Sequence, residues 1–166
     1  THSPAVTKEV NCHGTADQIL NSWAEALTKA SAPTTVNQLH GIGFAMPGPF
    51  DYPKGIGLFR GVNKFEALNG VNIREALARR MNLPDDFRIR FLNDATCFAI
   101  GESLTGAAKI HQRLLAITLG TGFGTTFIDN HRPVAGVHGI PDDGFLYHVP
   151  VGDGIAEDWF STARKR

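Results

Sequence analysis

Apolar residues in this chain recur at helical spacing and at strand spacing in turn, and that alternation limits the fold more than any other feature. Thr15-Ala16-Asp17-Gln18 has the form of a helix capping box. Leu20, Trp23, Ala24 and Leu27 follow at helical intervals, predicting an amphipathic helix to about Ala30. Ser31 to Thr35 breaks it. Leu39 to Met46 reads as a buried strand, ended by Pro47-Gly48-Pro49. A long Gly/Pro-rich loop then passes Asp51, Gly55, Gly57 and Gly61 to about Asn69, and loops of that length inside a domain tend to be functional. Asn72 caps a second helix with Ile73, Ala76 and Leu77 on one face, stopped near Pro84. Phe87 to Leu92 alternates apolar residues with arginines, as a strand does. A third helix is expected over about Ala95 to Thr105, then strands at Leu114 to Leu119 and Thr125 to Ile128. Asp129-Asn130 turns the chain back through Val134 and Ala135. Helices alternating with strands argue for α/β layering. The switch to a hairpin near Leu114 places a first domain at 1–112 and the start of a second at 113–166. From Gly136 onward the pattern has no clear period.

Composition narrows the class of partner. Hydrophobic content of 42% with 19% charged residues predicts a packed core, with Trp23 and the Phe-rich strands inside it. Sixteen basic residues balance sixteen acidic ones, giving no electrostatic reason to expect nucleic acid or anionic membrane as partner. The basic end Arg164-Lys165-Arg166 reads as a solvated terminus. No apolar stretch approaches the length of a membrane span, and no signal-peptide pattern is present. Cys12 and Cys97 lie far apart without metal-like spacing, which predicts a reduced, cytoplasmic protein.

Three places carry residues suited to chemistry. Asp94 stands at a predicted helix N-terminus, where the dipole and free amides favour an ionised carboxylate. Such a group either caps the helix or accepts a proton from a hydroxyl. Asn93 either orients a substrate hydroxyl or turns the chain. Gly120-Thr121-Gly122-Phe123-Gly124 leaves amides unshielded for a phosphate, or makes a plain hairpin turn. No Gly-Lys-Ser/Thr follows it, so it is not a P-loop, and a strand rather than a helix follows, unlike a dinucleotide fingerprint. His148 stands alone, without partners at metal-ligand spacing.

Together these segments resemble the ROK family of sugar kinases and sugar-responsive repressors. Gly41-Ile42-Gly43-Phe44-Ala45-Met46-Pro47-Gly48-Pro49-Phe50-Asp51 is similar to the family's strand and Pro-Gly-x-x-Asp loop. Asn93-Asp94-Ala95 with Gly101-Glu102 is similar to its Asn-Asp-Ala segment and downstream Gly-Glu. Thr118-Leu119-Gly120-Thr121-Gly122-Phe123-Gly124 is similar to its second phosphate loop. The likeness runs from about Thr15 to His148. It implies a ribonuclease H-like fold of the actin/hexokinase superfamily, a partial N-terminal domain plus the start of a nucleotide-binding one. It also implies that Asp94 deprotonates a sugar hydroxyl, usually the 6-hydroxyl, for attack on the γ-phosphate of Mg-ATP. Asn93, Gly48, Asn63 and His148 would contact the sugar, and Gly120, Thr121, Gly122 and Gly124 would cradle the nucleotide phosphates. Family members often form homodimers.

Two departures stand beside the likeness. The family's Gly-Glu-x-Gly-His pattern meets Gly144-Phe145-Leu146-Tyr147-His148, with Phe145 for the glutamate and Tyr147 for the second glycine. That glutamate accepts hydrogen bonds from the sugar, so the change bears on substrate identity and on turnover. The cysteines that bind structural zinc in many members would follow His148, and none does, so no zinc is expected. The resemblance further implies that an Asp-x-Gly-Gly-Thr phosphate loop lies before Thr1 and an adenosine-binding half beyond Arg166. The expected activity is ATP-dependent sugar phosphorylation, with a fragment of this extent inactive. A sugar-responsive regulator and a noncatalytic sugar-binding protein are the alternatives on the same fold.

Overall fold

The reciprocal bonds of the capping box start α1 (Ala16–Ser31): Gln18 N–H donates to Thr15 Oγ1 (3.2 Å) and Thr15 N–H to Gln18 Oε1 (2.9 Å). The computed structural model describes residues 5–32 and 38–162. Most of the expected break at Ser31–Thr35 and the basic end Arg164-Lys165-Arg166 lie outside the described residues. Two units make up the chain, Thr1–Leu92 and Asn93–Arg166.

In the first unit α1 buries Ile19, Leu20 and Ala24. It packs beside α2 (Ile73–Arg80), where Arg80 donates through Nε to Asn21 Oδ1 (2.8 Å) and pairs with Asp17. Asn72 caps α2 as expected, its side chain accepting from Glu75 N–H. Strand β1 is shorter than expected, covering Ile42–Met46, and starts where Ile42 N–H donates to Arg88 O (2.8 Å). It pairs with β4 (Ile89–Asn93), whose Ile89 and Phe91 are buried while Arg90 and Leu92 are exposed. The long loop is more structured than its composition suggests. It holds a small hairpin, β2 (Phe50–Asp51) and β3 (Ile56–Gly57), and a 3-10 turn at Glu66–Leu68. Arg74 ties that hairpin down, donating to Ile89 O, Lys54 O and Pro53 O at 2.9–3.0 Å. Gly55 is required at the turn, since its φ is +75° and a Cβ would meet the Phe91 ring at 2.9 Å.

The core of this unit is aromatic. Phe50 contacts Phe59, Phe91 and Tyr52, and Trp23 contacts Phe44 and Phe65, with ring centroids 5.1–6.3 Å apart. Phe59, Leu68, Ile73 and Leu77 are fully buried at its centre. Each such side chain contributes about 1.5–3 kcal/mol through burial.

In the second unit α3 (Asp94–Leu104) lies on a three-stranded antiparallel sheet ordered β5 (Arg113–Leu119), β6 (Phe123–Asp129) and β7 (Arg132–Val134). Ala99, Ala116 and Ile128 form its buried centre, flanked by Ile100 and Leu114. The sequence placed α3 ahead of the 112/113 join, but its packing on β5 and β6 groups it with the strands that follow. The β6–β7 turn is Asn130-His131, one residue later than expected, because Asp129 is paired with Arg132 and the next two residues take φ of +50° and +64°. Beyond Gly136 the chain forms a short hairpin, β8 (Pro150–Val151) with β9 (Gly154–Ile155), and α4 (Ala156–Phe160).

Candidate active site

Asn93, not Asp94, caps α3. Its Oδ1 accepts Thr96 N–H at 3.2 Å. The capping alternative for Asp94 therefore falls away: its exposed carboxylate accepts the neighbouring Ala95 N–H, through Oδ1 at 2.9 Å. Burial and then the Asp94 charge hold the Cys97 thiol above the usual thiol range. Glu102, of the Gly101-Glu102 segment, turns back to the helix exit, where its Oε2 accepts Ala107 N–H at 3.2 Å.

The glycine loop is a tight turn closed by Gly120 N–H donating to Gly122 O (3.1 Å) between the paired residues Leu119 and Phe123. That bond takes the Gly120 amide. Thr121 and Gly122 are exposed, and their amides donate to no protein acceptor among the described residues. A Cβ on Gly120 would meet nothing within 4 Å, so the turn presents an open face. Gly124 is glycine for a different reason. A Cβ there would meet Thr118 Oγ1 at 2.2 Å and Ala95 Cβ at 2.9 Å, so its bareness lets β6 approach the first turn of α3.

The start of β6 joins the site segments of this unit residue by residue. Phe123 N–H donates to Glu157 Oε2 (2.7 Å) and Gly124 meets Ala95, the neighbour of Asp94. Thr125 Oγ1, fully buried, accepts Leu146 N–H (2.8 Å) from the segment that carries His148. Thr126 Oγ1 donates to Thr125 O (2.8 Å), which leaves the buried Thr96 hydroxyl to donate to Thr126 Oγ1 across 3.1 Å. Asp94, the glycine turn and the His148 segment are thus anchored on four consecutive residues. His148 itself is exposed and pairs through Nε2 with Asp143 Oδ2 (2.9 Å), while Asp143 Oδ1 accepts Phe145 N–H (3.0 Å). The Tyr147 ring stands edge-on to it at 4.9 Å.

Gly48 and Asn63 belong to the first unit. Gly48 is exposed beside the Tyr52 hydroxyl. Asn63, also exposed, takes φ of +57°, donates its N–H to Glu66 Oε1 (3.0 Å), and lines a hollow of about 250 Å³ with Cys12, His13, Gly14, Glu66 and Ala67.

Asp143, Glu157 and Thr162 were not legible as site residues. They lie in the stretch without periodicity, and α4 is too short to give a helical repeat. The only local signal is Asp158, whose Oδ2 accepts Ile155 N–H (3.1 Å) three residues before it.

Helices laid on small sheets give part of a ribonuclease H-like fold, that of the actin/hexokinase superfamily to which the matching family model points. The chain belongs to the ROK family, whose model matches residues 6–153. It is 29% identical over 142 residues to the glucokinase of Thermotoga maritima, covering 82% of this chain and 42% of that protein. To the xylose repressor of Bacillus subtilis it is 25% identical over 151 residues, 91% of this chain and 34% of the repressor. A ROK glucokinase from Streptomyces griseus, solved with glucose and AMPPNP, superposes with a TM-score of 0.69 at 24% identity, over 96% of this chain and 50% of that one. The chain therefore spans a third to a half of the length of these relatives. The family holds sugar kinases and sugar regulators alike.

Proposed function

We propose that this chain carries the base and one phosphate loop of an ATP-dependent sugar kinase. The observation that supports it most is the assembly at residues 123–126, which brings Ala95, and so the start of α3, against the glycine turn. In this reading Asp94 accepts the proton of a hexose hydroxyl. With Asn93 holding the cap, one Asp94 oxygen keeps the Ala95 amide and the other is left for the hydroxyl. A positioned base of this kind is worth about 10²–10⁴ in rate.

The open amides of Thr121 and Gly122 fit a nucleotide phosphate, the Gly120 amide being held in the turn and Gly124 serving the packing. ATP with Mg²⁺ supplies the transferable phosphoryl group when bound. Mg²⁺ would arrive with the nucleotide, bound to its phosphate oxygens and to water. On the sugar side, His148 is held by Asp143 and Asn93 lies in the same unit, while Gly48 and Asn63 are proposed sugar contacts of the first unit, each taken by itself. Cytoplasmic placement and a homodimer belong to the same reading.

A second reading, a sugar-responsive regulator without turnover, is favoured by the match to the xylose repressor and by Phe145 in place of the family glutamate. Protein expressed from the complete gene decides between them. Assayed with ATP against a panel of hexoses and amino sugars, it releases ADP only with its substrate sugar if it is a kinase. Saturable sugar binding with no sugar-dependent ADP release supports the regulator instead.

A further inference from the structure

Glu157 touches two of the proposed site segments at once. Its carboxylate accepts Phe123 N–H at 2.7 Å, and its own N–H donates to Tyr147 O at 2.8 Å, one residue before His148. The same α4 region holds the opposite side of the glycine turn, where Thr162 donates to Gly120 O through both its N–H and its hydroxyl at 2.7 Å. Phe160 packs on Phe123 with centroids 5.1 Å apart. A Cβ on Gly122 would lie 3.3 Å from Glu157 Oε1, so the carboxylate also runs along the turn itself. Both ends of the turn are therefore gripped by side chains from one short segment.

We propose that Glu157, supported by Thr162, is a positioning residue that fixes the glycine turn and its distance from His148. The proposal rests on the kinase reading for its catalytic consequence, but not for its structural one. A charge-assisted bond to a main-chain amide is about twice as strong as a neutral one, which suits a carboxylate holding a glycine turn that has little stiffness of its own. The Phe123 amide, like that of Gly120, is already bonded within the protein, so the grip leaves those of Thr121 and Gly122 open.

Hydrogen exchange and steady-state kinetics on protein from the complete gene test this. In Glu157→Ala, exchange at the Phe123 amide rises about tenfold or more, as loss of a bond to a charged group requires. The KM for ATP rises with it, while the KM for the sugar stays put. Glu157→Gln keeps an acceptor oxygen and recovers most of both. Wild-type exchange at Phe123 in Glu157→Ala overturns the proposal. So does a rise in KM confined to the sugar, which would make Glu157 a sugar contact. If Glu157→Ala does not fold, Glu157→Gln and Thr162→Val carry the same comparison. If the wild type turns over no ATP, the kinase reading fails and the exchange data alone decide the positioning role.

Discussion

Asp94 acts on its surroundings in a way that is measurable without any substrate. Burial first, and the Asp94 charge second, raise the Cys97 thiol above its ordinary range. Alkylation of Cys97 at pH 8 is thus expected to run slower than that of an unperturbed thiol, and Asp94→Asn should speed it by removing the second cause. An unchanged rate in that variant would mean that the Asp94 side chain does not act on the thiol. Asp51 gives a pH dependence of opposite sense. Lys54 N–H donates to its Oδ1 (3.0 Å), and this bond is the main cause that holds the Asp51 carboxyl below its usual value; desolvation opposes it, and the Lys54 side chain, 3.3 Å from Oδ2, adds to the lowering. A depressed carboxylate favours the folded state above the unfolded value near 3.8 and loses that contribution as pH falls through the folded one. Asp51→Asn is therefore expected to be less stable than wild type in denaturant titrations at neutral pH, with the difference shrinking as the pH is lowered below about 3.8, where the wild type loses this contribution. Phe59, with no exposed surface, sets the size of the core effect: Phe59→Ala is expected to cost about 3–5 kcal/mol in a denaturant titration.

Between α3 and β6 the decisive fit is small against small. Ala95 and Gly124 meet where a methyl group on the strand would lie 2.9 Å from the helix and 2.2 Å from Thr118 Oγ1. Gly124→Ala is expected to destabilise by about 1–3 kcal/mol, as overpacking does, and to widen the spacing of Asp94 from the glycine turn. A melting temperature equal to wild type would show that the contact yields freely. Such details explain what was legible from sequence. Periodicity located α1, α2, β4, α3, β5 and β6 because each has enough residues to show a repeat. The capping box of Thr15 and the cap of Asn72 were readable because those bonds are local. The exchange of roles between Asn93 and Asp94 was not, since both residue types cap helices equally well. Asp143, Glu157 and Thr162 escaped because what makes them matter is contact with residues 5 to 42 positions away. The small hairpin of residues 50–57 was hidden by its glycines, one of which is there to clear Phe91.

Each of the two units carries its own buried centre, aromatic in residues 1–92 and small aliphatic with threonine hydroxyls in residues 93–166. Asp94, the glycine turn, His148 and the residues that hold them belong to the second, whereas Gly48 and Asn63 belong to the first. The chain spans 42% of the Thermotoga glucokinase. We accordingly predict that the 166-residue chain alone releases no sugar-dependent ADP, and measurable release by the pure chain would refute that. Protein from the complete gene bears the direct test of Asp94 as the base. With its substrate sugar and ATP saturating, Asp94→Asn is expected to lower sugar-dependent ADP release about 10²–10⁴-fold while its circular dichroism and melting temperature match wild type. Turnover by a folded Asp94→Asn protein at the wild-type rate would contradict the assignment of the base.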